Sequence, residues 1–426
     1  MVYQKTFMEE WKTYTLGELS VDGKGSYGIG APAVEYSPDK YTYLRITDIN
    51  DDGTLAASDR KSVDAEGAEN YILKENDIVF ARTGNSTGRA YFYDSRDGEL
   101  VYAGFLIKFS LDPNKVNPKI LKYYTHSKPY YDWVRSFDSG ATRGNINAQT
   151  FASMPIELPS RTTQDRIVDI MSAIDDKIRN NNRINHNLEE QAQALYKSWF
   201  VDFEPFKGGK FIQSRVGLIP ETWAIQRICD LPLYISDYVS NGSFASLKEN
   251  VTLYETPNYA QFIRNTDLKC RQFSVWVDQK SYEYLAKSKL EGGEIIISNV
   301  GDVGSVHICP QLNTPMTLGN NVIMIKPLDN IYKYFIYMTF KWFHGKDLIK
   351  GITGGSAMPK FNKTDFKSLN LLIPDYSTLC KFNSLVSNLF ENTISLNSSN
   401  QRLSEIRDTL LPKLMSGELK INDLTC

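Results

Sequence analysis

One long amphipathic segment, residues 162–200, constrains the fold more than any other part of the chain. Its apolar side chains recur at spacings of three and four, with a weaker stretch at Asn180–Asn182. This period is typical of a helix with one buried face, and no glycine or proline interrupts it. At about 1.5 Å per residue the helix is roughly 57 Å long, so its apolar face requires a partner helix of similar length. The apolar positions are Ile167, Ile170, Met171, Ile174, Ile178, Ile184, Leu188, Leu195, Tyr196 and Trp199.

A second segment of the same kind, residues 377–419, is the predicted partner helix. Its apolar pattern also weakens at an asparagine-rich stretch, Asn397–Asn400. The residues predicted to share one face are Phe382, Leu385, Leu389, Leu396, Leu403, Ile406, Leu410 and Leu414. Because each long segment ends one half of the chain, the pair suggests an internal duplication.

The order of sequence features supports a duplication. Residues 43–50, YLRITDIN, correspond to residues 262–269, FIRNTDLK, and Trp11 corresponds to Trp223. The spacing between Asn147 and Asn362 equals the spacing between Pro159 and Pro374. Repetition over such a length indicates two copies of a domain rather than a solenoid.

Each copy is predicted to be an α+β domain followed by its long helix. In copy one, strands are predicted at 43–50, 78–80, 89–93 and 105–111, and a helix broken at Pro129 is predicted at 117–137. The predicted organisation is a domain at 1–160, a helix at 161–203, a linker at 204–222, a second domain at 223–375 and a helix at 376–420.

Composition indicates a cytoplasmic protein. The net charge of the chain is −2 and 42% of its residues are hydrophobic, as in an ordinary globular protein. No apolar run approaches the ~18–20 residues of a membrane span, and residues 1–11 lack the apolar core of a secretory signal. The five cysteines are scattered, which favours reduced thiols over a disulfide framework or a zinc site. If the chain binds nucleic acid, its positive charge must be local.

The sequence contains no catalytic constellation that we recognise. The motifs GxxxxGK[ST] and HExxH are absent, and the four histidines lack ligand spacing, so no catalytic and no metal residues are predicted. Gly23, Gly25 and Gly28 satisfy GxGxxG, but Gly30 and Pro32 follow and cannot open the required helix. We therefore interpret this stretch as a surface loop.

Four phrases together resemble the specificity subunit of type I restriction–modification enzymes. They are YKSWFVDFEPF at 196–206, GLIPETW at 217–223, LKENDIVFARTGNSTG at 73–88 and IRDTLLPKLMSGEL at 406–419. The resemblance spans essentially the whole chain. It implies a non-catalytic reader of a bipartite target in double-stranded DNA, built from two target-recognition domains and two conserved helices that pair as an antiparallel coiled coil.

The resemblance also implies partners and cofactors. Two methyltransferase subunits are expected to bind this chain and to methylate adenine N6, and ATP-dependent restriction subunits are expected to join through them. S-adenosylmethionine, ATP and magnesium would belong to those subunits, with no cofactor in this chain. Two alternatives remain: the recognition subunit of a related single-complex nuclease-methyltransferase, or a scaffold protein that does not bind DNA.

Polar loops carry the candidate DNA-binding residues. Arginine suits guanine, asparagine suits adenine, and hydroxyl groups suit phosphate, although an ordinary polar hairpin would look similar. The candidates in copy one are Arg82, Thr83, Asn85, Ser86, Arg89, Arg143, Asn145 and Asn147. Those in copy two are Asn299, Ser356, Lys360, Asn362 and Lys363. Ser298 and Val306 lie near the places that match Arg82 and Arg89, so the two copies should read different targets.

Two further sets of residues are a pair of basic side chains in copy two and the apolar residues of the long helices. Arg264 and Lys269 either contact phosphate or are solvated surface charges, and most aromatic side chains are assigned to the core. The partner-binding helix residues are predicted to be Ile174, Ile178, Leu188, Leu195, Trp199, Leu389, Leu396, Leu403 and Leu410.

Overall fold

A computed structural model describes residues 11–56, 59–137, 145–342, 344–355 and 357–419. Two candidate DNA-binding residues, Arg143 and Ser356, lie outside these described residues. The chain divides into two compact units: unit 1 comprises Met1–Asn180 and Ser399–Cys426, and unit 2 comprises Asn181–Ser398. The division therefore falls within both long helices.

Unit 1 combines short strands with short helices. The strands are β1 (Lys12–Thr15), β2 (Ser26–Tyr27), β3 (Ala33–Glu35), β4 (Tyr41–Leu44), β5 (Lys61–Val63), β6 (Asp77–Ala81), β7 (Ala90–Phe92), β8 (Leu100–Tyr102), β9 (Leu106–Ser110) and β10 (Pro155–Leu158). The helices before the first long one are α1 (Leu16–Leu19), α2 (Ile120–Tyr124), α3 (Lys128–Arg135) and α4 (Ala148–Ala152). Pro129 lies in the first turn of α3, as the predicted helix break required.

Unit 2 begins at Asn181, within the first long helix, α5 (Arg161–Phe200). After that helix it has a hairpin in the predicted linker, β11 (Phe211–Ser214) with β12 (Gly217–Pro220). The other strands are β13 (Ala224–Arg227), β14 (Leu233–Asp237), β15 (Leu253–Tyr254), β16 (Ala260–Ile263), β17 (Trp276–Val277), β18 (Lys289–Leu290), β19 (Ile295–Ser298), β20 (Val306–Ile308), β21 (Met316–Leu318), β22 (Val322–Pro327) and β23 (Asn370–Ile373). The helices are α6 (Phe244–Asn250), α7 (Asn265–Cys270), α8 (Gln279–Tyr284), α9 (Ile331–Lys341), α10 (His344–Ile352), α11 (Lys363–Ser368) and the second long helix, α12 (Tyr376–Met415).

Both units have the same sheet topology. An antiparallel sheet has the strand order β2-β9-β6-β7 in unit 1 and β14-β22-β19-β20 in unit 2. A second sheet runs β3-β5-β4-β8 in unit 1 and β15-β17-β16-β21-β18 in unit 2, with β4–β8 and β16–β21 parallel. A two-stranded pair, β1–β10 or β13–β23, precedes each long helix. The predicted duplication of an α+β domain is confirmed.

One predicted strand is shorter than expected in both copies. In unit 1 the strand ends at Leu44, and a 3-10 turn occupies Ile46–Asp48. The reason is local: the backbone N–H of Arg45 donates to Asp48 Oδ2 at 2.8 Å, and its guanidinium donates to the same carboxylate at 2.6 Å. Unit 2 repeats this arrangement with Arg264 and Asp267, at 2.9 and 2.6 Å.

The two long helices are continuous through both asparagine-rich stretches, where the apolar pattern weakens. Asparagine has a low helix propensity, but Asn181 is fully buried, and tertiary packing overrides a weak local preference. Helix α5 ends at Phe200 rather than at 203. Helix α12 ends at Met415, and its predicted end at 420 lies outside the described residues.

Three residues assigned to the buried helix faces are exposed instead. The exposed fractions are 36% for Ile184, 48% for Leu385 and 47% for Ile406. In α12 the buried face is set by Phe382 and Val386. Leu385 precedes Val386 by one residue, so it points about 100° away from that face.

Each unit has its own hydrophobic core against a part of both long helices. In unit 1, Phe80, Phe109 and Phe151 are fully buried in the cluster that also contains Ile167 of α5. In unit 2, Ile297 belongs to the cluster that contains Phe200. Among the described residues, no helix has both the length and the apolar character needed to cross a membrane.

Candidate nucleic-acid interface

The loop after β6 in unit 1 is anchored by backbone hydrogen bonds on both sides. The N–H of Arg82 donates to the carbonyl of Phe105 at 3.1 Å, and the carbonyl of Arg82 accepts from Ile146 N–H at 2.9 Å. The next residue, Thr83, forms an antiparallel bridge with Asn145. The structure thus brings together the two predicted DNA-binding segments of copy one, at Arg82 and at Asn145.

The guanidinium of Arg82 lies close to two aromatic rings. Its central carbon is 5.2 Å from the centroid of Tyr27 and 5.9 Å from that of Phe105. Nη1 donates to Asn145 Oδ1 at 3.3 Å, whereas Nε is buried and has no described acceptor. Among the described residues, this cation contacts an amide and two rings but no carboxylate.

Arg89, at the other end of the same loop, is occupied by contacts within unit 1. Its Nε donates to Asp51 Oδ1 at 2.6 Å, and its Nη1 donates to the carbonyl of Ile49 at 3.1 Å. Ser86 is buried and Asn85 is exposed. The geometry of Arg89 therefore favours a structural role in holding this loop.

Asn147 and Asn362 occupy equivalent structural positions, since each is the N-cap of a short helix. Asn147 Oδ1 accepts from the N–H of Thr150 at 2.9 Å, and Asn362 Oδ1 accepts from the N–H of Asp365 at 2.8 Å. Both side chains are exposed, but one oxygen of each is engaged. The equal spacing seen in the sequence thus reflects a shared capping role.

The corresponding loop of unit 2 is anchored in the same way. The N–H of Asn299 donates to the carbonyl of Asn321, and its own carbonyl accepts from Phe361 N–H, both at 3.0 Å. The side-chain Nδ2 of Asn299 donates to the Phe361 carbonyl at 3.1 Å, while its Oδ1 is buried without a described partner. Val300 forms an antiparallel bridge with Lys360.

The two candidate lysines of unit 2 differ in their availability. Lys360 is exposed, and its backbone exchanges two hydrogen bonds of 2.9 Å with Gly354. Lys363 forms an ion pair with the buried carboxylate of Asp237 at 2.9 Å and also donates to Ser240. Lys360 is consequently the better placed of the two to meet an external phosphate or base.

Strand register defines four equivalent positions in the two units. In unit 1, Tyr27 of β2 pairs with Ile107 of β9, and β9 pairs with β6, the strand that leads into the loop. In unit 2, Asp237 of β14 pairs with Ile323 of β22, and β22 pairs with β19, which leads into the corresponding loop. Together with the backbone bonds above, this matches the unit 1 residues Tyr27, Arg82, Phe105 and Asn145 to the unit 2 residues Asp237, Asn299, Asn321 and Lys360. We call each set of four a bridge site.

This register corrects the sequence-based match between the copies. The N–H of Ala81 donates to the Arg89 carbonyl, and the N–H of Ser298 donates to the Ser305 carbonyl. Ser298 therefore corresponds to Ala81, and the next residue, Asn299, corresponds to Arg82. By the same pairing, Ser305 rather than Val306 corresponds to Arg89. Ser298 and Val306, which the sequence placed near these positions, each lie one residue away from them.

Two aromatic residues of the unit 1 bridge site were not among the candidate residues predicted from the sequence. Tyr27 is 44% exposed and Phe105 is 56% exposed. Tyr27 ends β2 in the stretch that was interpreted as a surface loop, and Phe105 directly precedes β9. Nothing in the sequence shows that they flank Arg82, since that contact depends on strand pairing.

Arg264 and Lys269, the possible phosphate contacts of unit 2, are both engaged by carboxylates. Arg264 is bound to Asp267, as described above, and Lys269 lies 2.6 Å from Asp302 Oδ2. The hydrogen bond from Lys269 lowers the pKa of Asp302 below its usual value. The positive charge of these two residues is therefore largely neutralised within the unit.

The predicted partner-binding residues of the long helices share one property: each of the nine is half-buried. Five of them pack against hydrophobic cores: Ile174 and Leu410 in unit 1, and Leu195, Trp199 and Leu389 in unit 2. The remaining four are Ile178, Leu188, Leu396 and Leu403. Across the described residues, no group of three or more histidine, cysteine, aspartate and glutamate side chains could hold a metal ion.

Comparison with known proteins places this fold in a family. The family model for the type I restriction modification DNA specificity domain matches residues 8–190 and 235–406. The chain is 25% identical to the type I restriction enzyme HindI specificity subunit of Haemophilus influenzae, over 97% of this chain and 100% of that protein. It is 29% identical to the type I restriction enzyme MjaIX specificity subunit of Methanocaldococcus jannaschii, over 71% of this chain and 69% of that protein.

A solved structure has the same fold. The S subunit of a type I restriction-modification system from M. genitalium is 16% identical, covers 97% of this chain and 98% of its own, and superposes with a TM-score of 0.55. The family model matches each copy of the duplicated domain and most of the chain. This chain belongs to the family of type I restriction–modification DNA specificity subunits.

Proposed function

We propose that the chain reads a bipartite target in double-stranded DNA, with one half-site bound by each unit. One observation carries this proposal: the two bridge sites share a backbone frame but present different side chains. Arg82 in unit 1 corresponds to Asn299 in unit 2, and Asn145 corresponds to Lys360. A shared frame with different polar groups is what two readers of different base sequences require.

We further propose that the long helices pair as an antiparallel coiled coil. In unit 1 the early part of α5 and the late part of α12 share a core through Met171 and Leu414. In unit 2 the late part of α5 meets the early part of α12, where the rings of Phe200 and Phe382 are 4.6 Å apart. Early residues meeting late residues in both units support opposite helix directions.

The chain would act through partners, because its proposed role is recognition without chemistry. Two methyltransferase subunits would dock on the half-buried residues of α5 and α12 and methylate adenine N6 in each half-site. Restriction subunits would join through them in the cytoplasm. S-adenosylmethionine, ATP and magnesium would be held by those subunits, and this chain would supply the DNA sequence.

Methylation mapping tests the proposal directly. The chain is co-expressed with a methyltransferase subunit from its own genomic neighbourhood in a host that lacks adenine methylation, and methyladenine is located on both strands by single-molecule sequencing. The expected result is a split motif with one modified adenine in each half and a fixed gap. A stable complex with the methyltransferase that leaves the genome unmethylated would favour a scaffold role and overturn the proposal.

A further inference from the structure

We infer that Arg82 reads a guanine base in the half-site bound by unit 1. The inference rests on the proposed function and deepens it, since it assigns the base class and the side chain that recognises it. Guanine presents two acceptors, N7 and O6, in the major groove, and the guanidinium fork of arginine matches both.

The hydrogen bonds of Arg82 leave its outer edge available. Nε is buried and faces the unit, while Nη1 uses one hydrogen on Asn145 Oδ1. A guanidinium carries five N–H donors, so Nη2 and the second hydrogen of Nη1 can point away from the unit together. These two terminal nitrogens form the pair needed for an end-on contact with guanine N7 and O6.

The aromatic residues fix the orientation of this fork. A cation over a ring face within about 6 Å of its centroid is attracted by the ring, and Arg82 meets this condition with both Tyr27 and Phe105. The Tyr27 hydroxyl accepts a hydrogen bond from Ala148 N–H at 3.1 Å, which holds the ring in place. A side chain held in its binding conformation loses less entropy on binding.

Gly28 allows this arrangement because the chain passes very close to a neighbouring strand there. A Cβ atom at Gly28 would lie 2.3 Å from the carbonyl oxygens of Tyr102 and Ala103, so no other residue fits without a backbone shift. Its N–H donates to the Leu106 carbonyl at 3.2 Å. The glycine therefore lets the chain that follows Tyr27 approach Leu106, the residue next to Phe105. This gives a structural reason for a glycine that resembled part of a nucleotide motif.

Charge also distinguishes Arg82 from other arginines of unit 1. Arg45, Arg89 and Arg96 each form an ion pair with a described carboxylate, at 2.6 Å in every case. Arg82 forms none with the described residues, so its positive charge is not neutralised by them. A carboxylate at this place would compete with the guanine oxygen for the same donors.

The bridge site of unit 2 has no arginine held next to aromatic rings. At the equivalents of Tyr27 and Arg82 it has Asp237, which accepts from Lys363, and Asn299. No arginine occupies these positions, so the inference is confined to the half-site of unit 1. The two halves of the target should differ at the base pair that contacts this position.

The test uses the full chain with its methyltransferase and compares four variants with the unchanged chain. Arg82→Ala removes the fork, and Arg82→Lys keeps the charge without the fork. Arg60→Ala is the matched control, since Arg60 is an exposed arginine of unit 1 outside the bridge site. Lys360→Ala alters the other unit. The readout is methylation at sites that depart from the motif by one base pair.

Both Arg82 variants should relax the same single position, which must be a G·C pair in one half-site. The expected loss of discrimination there is roughly 5- to 150-fold, the range for one bidentate contact. Arg60→Ala should leave the motif unchanged, and Lys360→Ala should alter only the other half. Relaxation of an A·T position by Arg82→Ala would overturn the inference.

A phosphate contact gives a different pattern. If Arg82 contacts phosphate, Arg82→Lys keeps the full motif and Arg82→Ala weakens methylation equally at all sites. That result would overturn the guanine assignment while the split motif of the unchanged chain still upheld the proposed function. If the unchanged chain has no split motif, both the proposed function and the inference fail.

Phe105 provides an independent check because it positions Arg82 without reading the base. Phe105→Ala should reduce discrimination at the same G·C pair, and Phe105→Tyr should restore it because the ring remains. A loss of folding would lower methylation at all sites and would not select one base pair. Equal discrimination in the alanine and tyrosine variants would contradict a positioning role for the ring.

Discussion

At the scale of single residues, the basic side chains of the candidate interface fall into two groups. Arg89 and Lys363 are bound by carboxylates of their own unit, whereas Arg82 and Lys360 form no ion pair with a described residue. All four looked alike in the sequence, because each is a cation in a polar loop. Asp51 pairs with Arg89 and Asp237 pairs with Lys363, which leaves Arg82 and Lys360 as the cations that the proposed function would use.

Arg89→Ala should lower stability and leave the recognised sequence unchanged. Its ion pair with Asp51 is partly exposed, so the pair and the bond to the Ile49 carbonyl together contribute about 1 kcal/mol. For a unit of this size that is a fall of roughly 2–4 °C in melting temperature. Thermal unfolding and methylation mapping of the same preparation check both parts. A changed motif with unchanged melting would show that Arg89 reads DNA.

At the scale of elements, the sequence predicted the long helices, the duplication and four strands of copy one. These features depend on local periodicity and repeated phrases, which are visible without a structure. The bridge sites depend on non-local pairing, such as the bond between Arg82 N–H and the Phe105 carbonyl. The sequence therefore pointed to Arg82 and Asn145 separately but gave no sign of Tyr27 and Phe105.

The same limit explains the exposed residues of the helices. Periodicity identified helices α5 and α12 but did not fix which residues of each helix are buried, since several apolar residues lie near the edges of the apolar face. Leu385 was assigned to the buried face and is exposed, while Val386 beside it is buried. The face is decided by contacts with the cores of the units, which a single helix sequence does not contain.

A pair of asparagines provides a test of helix pairing. Within unit 2, Asn185 Nδ2 donates to Asn397 Oδ1 at 2.9 Å, and Asn185 Oδ1 is buried without a described partner. Asn397→Ala leaves the Asn185 amide unsatisfied, which should destabilise unit 2 by about 1–3 kcal/mol. Replacing both residues with leucine removes both polar groups and should restore most of that loss. Thermal unfolding of the full chain measures both effects.

Asn187→Ala is the control for this pair, because Asn187 is an exposed asparagine of α5, two residues from Asn185. It should leave the melting temperature unchanged or raise it slightly, since alanine has the higher helix propensity. If Asn397→Ala and Asn187→Ala behave alike, the hydrogen bond between the helices contributes nothing measurable.

At the scale of the whole molecule, the division between the two units falls within both long helices. Residues of α5 up to Asn180 belong to unit 1 and those after it belong to unit 2. In α12 the order is reversed, with residues up to Ser398 in unit 2 and those after it in unit 1. If each unit binds one half-site, the central parts of these helices are shared by both readers but belong to neither bridge site. Helix length and base recognition should then be separable properties of the chain.

Matched deletions in both helices test that separation. Removing Asn180–His186 from α5 and Leu396–Arg402 from α12 takes out two turns of each, about 10 Å, and changes the helix phase by only ~20°. The gap between the half-sites should shorten by up to roughly three base pairs at ~3.4 Å each, with both half-site sequences unchanged. Methylation mapping measures gap and half-sites together. Removing Leu396–Arg402 alone makes the two helices unequal in length and should abolish methylation. A change of the half-site bases in the double deletion would contradict separate roles for the helices and the bridge sites.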